Sequence, residues 1–221
     1  MSLPPPAVYN SLFLKADYRT VITTDGSHTY RSSVAQQARL DDIFLLPGAS
    51  LRPDTAGPGG QLLLLPIVGG ALLSTAHEHE RPLLPGCLYA LPEADADRLT
   101  LTNPFEETVN VLLIRAPVPA AATPAPCEFE LPLTAKNTLV QPVGQALPVQ
   151  VGLYDSRVKG HLAAPAPGEG FGLCYVLNGA FEIEDRLAEH RDALVLWDTP
   201  RIGFEALSET AILLYLQFAK A

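Results

Sequence analysis

One succession of strands and turns is written twice in this chain, and it limits the folds the chain can take. Phe171 to Phe218 reads FGLCYVLNGAFEIEDRLAEHRDALVLWDTPRIGFEALSETAILLYLQF. An apolar run, Leu173 to Leu177, is broken at Asn178-Gly179, a dipeptide that accepts positive φ and closes a hairpin at little cost. A return strand, a charged tip at Arg186 to Asp192, the strand Ala193 to Trp197 and the closing strand Ala211 to Phe218 follow. The same order occurs from Leu62 to Ile114, with Gly70-Ala71 matched to Gly179-Ala180 and Val111 to Ile114 matched to Ile212 to Tyr215. A period near half the chain length means one β-rich unit used twice. Short strands, tight turns and no 3.6-residue period predict an antiparallel sheet that must bury one face.

The chain has 221 residues, 48% of them hydrophobic and 18% charged, which is enough apolar surface for two cores. Its formal net charge of −9, with no basic cluster to offset it, argues against a nucleic-acid partner. The start, MSLPPPAVYNSLFL, lacks a secretory signal's charged and apolar regions. The apolar segment Leu62 to Ala76 is too short to cross a bilayer and carries Pro66 and two glycines, so no membrane partner is expected. Cys87, Cys127 and Cys174 are widely spaced and odd in number, which suits reduced thiols in the cytoplasm.

Along the chain, residues 1–15 read as an arm or edge strand. Two strands then flank a turn at Asp25-Gly26, and a further strand runs from Asp41 to Leu46. Pro117 to Pro126 alternates Pro and Ala, packs no core and marks a linker. A helical turn is expected at Ala135 to Val140. The predicted class is all-β, two small jelly-roll barrels: residues 1–116, the linker 117–126, and residues 127–221.

The second unit resembles a family. Gly152 with Tyr154-Asp155-Ser156-Arg157, the Val176 to Ala180 turn, Arg191-Asp192-Ala193 and Leu196-Trp197-Asp198-Thr199 are similar to the C-terminal cupin of bacterial pirin-like proteins, the group that includes quercetin 2,3-dioxygenases. Ala16-Asp17-Tyr18-Arg19 and Tyr30-Arg31-Ser32 resemble the opening of one pirin-like subgroup. The resemblance implies a bicupin. It also implies a divalent transition metal in the first barrel, held by a His-x-His pair and a carboxylate before the first hairpin and by a later histidine.

This sequence departs from that pattern. The first segment, LRPDTAGPGGQ from Leu51 to Gln61, has no histidine, and neither has LYALPEADADRLTL from Leu88 to Leu101. His77 and His79 would share a side if extended, but they lie after the hairpin turn, in a charged tip equivalent to that of His190, and are rejected as ligands. His28 and His161 stand alone. No Gly-x-Ser-x-Gly elbow surrounds Ser156 or Ser208, Gly57 to Gly60 lacks a phosphate loop's Lys-Ser/Thr ending, and Glu182 with Glu184 reads as an exposed face. No residue is assigned a catalytic role. Tyr175 and Trp197, with Tyr154 and Arg157, are the candidates for contact with a small aromatic ligand; the competing reading packs the two rings into a barrel core and spends Arg157 on a turn ion pair.

The expected protein is thus a metal-free, non-catalytic bicupin that binds a small molecule or a protein partner, with no cofactor. The alternative is a metal-dependent cupin dioxygenase or isomerase acting on a quercetin-like aromatic, with Glu93, Asp95 or Glu182 open to acid/base work if no metal is used. The apolar strands and the proline-rich start also offer a homodimer surface.

Overall fold

The computed structural model describes residues 10–34, 38–55, 60–96, 98–118, 125–131, 134–141 and 147–219. In chain order the strands are β1 Asn10–Leu14, β2 Thr20–Thr24, β3 Ser27–Val34, β4 Ala38–Leu45, β5 Ser50–Leu51, β6 Gly60–Val68, β7 Ala71–Ser74, β8 Arg81–Leu83, β9 Cys87–Pro92, β10 Thr100–Thr102 and β11 Val109–Pro117. There follow β12 Cys127–Glu130, β13 Thr138–Val140, β14 Val149–Tyr154, β15 Lys159–Ala163, β16 Gly170–Asn178, β17 Phe181–Ile183, β18 Arg186–Ala188, β19 Ala193–Trp197, β20 Arg201–Ala206 and β21 Ala211–Ala219. Two short 3-10 turns, Ala16–Tyr18 and Glu93–Ala96, are the helical elements among the described residues, and none is long and apolar enough to cross a membrane.

These strands form the expected all-β jelly-roll pair. A seven-stranded sheet, β12-β9-β6-β11-β4-β3-β2, faces a four-stranded sheet, β5-β10-β7-β8, and encloses the first core. A six-stranded sheet, β1-β19-β16-β21-β14-β13, faces β15-β20-β17-β18 and encloses the second. The two large sheets also pack on each other: Leu40, Leu63, Leu112 and Ile114 from one meet Val151, Leu173, Tyr175, Val195 and Leu214 from the other in a third, inter-barrel core. Strands β6, β11, β16 and β21 are therefore buried on both faces. Continuous runs such as Leu62 to Leu65, which no alternation divides into an inside and an outside, reflect this.

The repeat is real, but its register is one residue off the match read from the sequence. Both hairpins turn on a glycine with positive φ, Gly69 (66°) and Gly179 (75°), so Gly69 corresponds to Gly179 and Gly70 to Ala180. Likewise β11 and β21 begin at Val109 and Ala211, which places Val111 opposite Leu213 in the repeat. Because successive side chains alternate faces, a slip of one residue exchanges inside for outside. The tips change partners too. The His77 to Glu80 tip joins β7 to β8 and corresponds to Glu184-Asp185, whereas His190 lies between β18 and β19, corresponding to Leu84 to Gly86.

Strands from each end of the expected division cross over. Asn10–Leu14 pairs with β19 in the second barrel's large sheet, Asn10 opposite Trp197 and Leu14 opposite Ala193. Cys127–Glu130 pairs back onto β9 of the first barrel. Each barrel thus has an edge strand supplied from the other half of the chain, which covers an edge that would otherwise template aggregation. Of the expected linker, Pro117 closes β11 and residues 119–124 lie outside the described residues. The helical turn expected at Ala135 to Val140 is instead an isolated bridge at Lys136 followed by β13, because Leu139 and Val140 pair with Gly152 and Val151.

Candidate functional site

The cores leave little room for polar chemistry. The first barrel is filled by Ile43, Leu62, Leu64, Leu73, Leu101 and their neighbours, and the second by residues such as Leu162, Val176, Phe181, Ile183 and Phe204. Polar and charged side chains gather at the mouth of the first barrel and at the seam between the barrels.

The mouth is built from β3 and β4. On β4, Ile43 and Leu45 enter the first barrel's core, so Arg39 and Asp41 share that side, while Leu40 and Asp42 face the seam. Asp41 is 1% exposed and accepts a bidentate pair from Arg31 across the ladder, Nε to Oδ1 at 2.7 Å and Nη2 to Oδ2 at 2.8 Å. Arg39 Nε adds a third contact at 3.2 Å. The hydrogen bonds that Arg31 donates to Asp41 hold its guanidinium above its ordinary pKa, against the effect of burial. Asp54, in the segment before β6, is more than half exposed and lies 3.0 Å from Arg39 Nη1 and 3.5 Å from Arg31 Nη1. Above these groups opens a cavity of about 280 Å³ lined by Ile22, Thr29, Arg31, Leu51, Arg52 and Asp54, with Asp41 at its base. Beside it Arg115 Nε donates to Glu93 at 3.1 Å.

The seam holds a second network. Asp42 receives Arg191 Nη1 and, at 3.4 Å, Arg19 Nη1; Asn110 Nδ2 donates to its other oxygen at 2.6 Å, and Arg191 Nη2 donates to Asn110 at 3.1 Å. Arg19 also donates to the carbonyl of Arg191, and its guanidinium lies 5.5 Å from the ring centre of Tyr175. Further along, Asp192 accepts from Lys15 Nζ at 2.8 Å and from the Ala16 amide at 2.9 Å. A cleft of about 340 Å³ opens next to this network between the barrels, mostly apolar, with Leu65, Ile67, Leu177 and Ile212 facing His190 and Arg191. Burial and the adjacent Arg191 push the His190 imidazole below its ordinary pKa.

The residues singled out from the sequence for ligand contact do not converge. Tyr154 lies inside the second barrel against Phe204 and Phe181, ring centres 5.0 and 6.0 Å apart, and burial lifts its phenol to about 12. Tyr175 is buried in the inter-barrel core, also at about 12, rather than inside a barrel. Trp197 is half-buried against Phe171 beside the same core, and Arg157 lies on the outer side, 3.3 Å from Glu205. His77 and His79 are exposed in a tip that is not strand, where Thr75 Oγ1 accepts the His77 amide at 3.1 Å. Glu182 is exposed, and Glu184 accepts the Gly203 amide. The groups that converge at the mouth, Arg31, Arg39 and Asp41, had one sequence signal: Arg-Leu-Asp-Asp at Arg39 to Asp42 puts charge into an apolar strand, which costs free energy unless each charge finds a partner.

The residues of the mouth do not fit a metal ion. Where the resemblance calls for imidazoles and a carboxylate, the described part of the segment supplies Asp54 alone, held between two guanidinium groups that repel a cation. Among the described residues no three His, Cys, Asp or Glu side chains are grouped to ligate one.

No family model matches the sequence, and no curated protein does. Solved structures do match. The bacterial pirin YhhW from Escherichia coli, in complex with nickel(II), superposes with a TM-score of 0.74 at 13% identity, over 96% of this chain and 100% of that one. A second YhhW structure gives 0.73 at 14% identity, over 93% and 97%, and YlbA from Escherichia coli gives 0.68 at 12%, over 94% and 90%. At such identities the likeness is one of fold.

Proposed function

We propose that this protein, a chain with the two-barrel fold of bacterial pirin, binds a small molecule in the mouth of its first barrel and does so without a metal. The observation that carries the proposal is the exchange of chemistry at that mouth. Beside the segment from which the resemblance calls for imidazoles, two arginines of β3 and β4 are fixed by a buried carboxylate and hold Asp54 between them. A cavity of about 280 Å³ with a rigid polar base and apolar walls suits a compact organic ligand. Tyr175 and Trp197 support the scaffold in this reading, and the aromatic-ligand role proposed for them passes to the mouth.

Elemental analysis of the purified protein, combined with a thermal-shift screen of small organic compounds, tests the proposal. It expects no stoichiometric transition metal and stabilisation by ligands that a cavity-filling Leu51→Trp substitution abolishes. One equivalent of tightly bound metal, or oxygen uptake with quercetin, would overturn it in favour of the dioxygenase.

A further inference from the structure

We infer that the ligand of this mouth is a carboxylate anion and that Asp54 is a tethered stand-in for it, occupying the site until the ligand arrives. The inference rests on the reading of the mouth as the binding site and adds the ligand's charge and its competitor. Three guanidinium groups, Arg31, Arg39 and Arg52, surround the cavity or its base, against two carboxylates, Asp41 and Asp54. The neighbouring Arg115–Glu93 pair adds no net charge. The site is thus locally positive in a chain whose net charge is −9.

The two carboxylates differ in how firmly they are held. Asp41 has a 1% exposed side chain and takes two hydrogen bonds from Arg31 and an ion-pair contact from Arg39, so it orients both arginines. Asp54 has a 55% exposed side chain and meets the same arginines at 3.0 and 3.5 Å. An exposed ion pair of this kind is weak and easily exchanged. Arg39 also keeps a buried Nη2 with no hydrogen-bond partner among the described residues, so the guanidinium retains donor capacity. A ligand carboxylate that displaced Asp54 would take over its contacts on Arg31 and Arg39 and lay its organic part against Ile22 and Leu51.

The experiment titrates benzoate and its neutral isostere benzamide into the wild-type protein and into the Asp54→Asn, Arg52→Gln and Leu51→Trp variants by calorimetry at low ionic strength. Asp54 and Arg52 are exposed, so their variants should fold, which circular dichroism checks. The inference expects benzoate to bind about two- to fivefold more tightly to Asp54→Asn than to wild type, the size of effect an exposed ion pair can exert. It expects weaker binding to Arg52→Gln, loss in Leu51→Trp, and no comparable binding of benzamide. Unchanged or weaker benzoate binding by Asp54→Asn, or benzamide binding as well as benzoate, would overturn the anion assignment; loss in Leu51→Trp would then leave the mouth itself standing as the site. Benzoate binding that survives Leu51→Trp, or fails in every protein at millimolar concentration, would overturn both.

Discussion

Among the described residues Asp42 is the countercharge that two arginines share at the seam, and replacing it tests how the barrels are held together. Its side chain is 2% exposed, as is that of Arg19, while that of Arg191 is 20% exposed. Asp42→Asn keeps the shape and one acceptor oxygen but strips the charge, leaving Arg19 buried among Tyr175 and the inter-barrel core. Removing one partner of a buried pair costs about 3–5 kcal/mol, because the remaining charge has lost its water and gained nothing in return. For a chain of this size each kcal/mol moves the melting temperature by about 2–4 °C, so the variant should melt about 6–20 °C below wild type. Lys15→Met is the matched control. Lys15 is 32% exposed, and Asp192 would still accept the amides of Ala16 and Glu189, so the loss should stay near or below about 1 kcal/mol. Differential scanning calorimetry of the three proteins at one pH and salt concentration makes the comparison. A shift for Asp42→Asn within about 2 °C of wild type, or one no larger than that of Lys15→Met, would refute the view that this carboxylate neutralises the seam.

Burial lifts Tyr154, Tyr175 and Tyr89 to about 12 and raises Tyr215 as well. A folded pKa above the unfolded value of about 10 means that the unfolded chain releases these protons first. The stabilisation is therefore full below pH 10 and is lost as pH rises towards 12. Phenolate absorbance should show the buried set ionising only together with unfolding; their ionisation near pH 10 in a protein that stays folded would contradict it. Gly170→Ala should destabilise by about 1–3 kcal/mol in a urea melt, because the new Cβ would lie 2.4 Å from the Phe218 carbonyl oxygen, a backbone atom that cannot step aside. Deleting the chain through Leu14 strips β1 from β19 and exposes a long apolar sheet edge, so light scattering should report concentration-dependent aggregation that the full chain does not show.

The hairpins were legible because glycine is the residue that accepts positive φ cheaply, and Gly69 and Gly179 announced both turns. The faces were not. Leu173, Tyr175 and Val195 alternate correctly, yet β16 and β19 bury both sides, so a period of two says which residues share a face and not whether that face lines a barrel or the seam. Resemblance between Gly70-Ala71 and Gly179-Ala180 then favoured a match one residue out of step with the backbone, which reverses every assignment downstream. The exchange of β1 and β12 left no local signal either. A short strand records its own pairing propensity but not which of two similar edges it joins.

Asp41 and Asp42 show why the polar sites lie where they do. In a strand buried on both faces, two adjacent carboxylates must point in opposite directions, and each must be met by a guanidinium or be too costly to keep. Asp41 meets Arg31 and Arg39 at the mouth; Asp42 meets Arg19 and Arg191 at the seam. The first cluster sits under a cavity and has an exposed carboxylate, Asp54, that can be exchanged. The second also borders a cavity, of about 190 Å³, but there Asp42 is shared by two arginines and capped by Asn110, with no second carboxylate among the residues that line the cavity except the exposed Asp17. Two neighbouring residues of one chemistry thus serve different ends, one orienting donors for a ligand and the other locking the barrels. The distinction follows from what each buried carboxylate is paired with: arginines of neighbouring strands of one sheet at the mouth, and arginines from two different barrels at the seam.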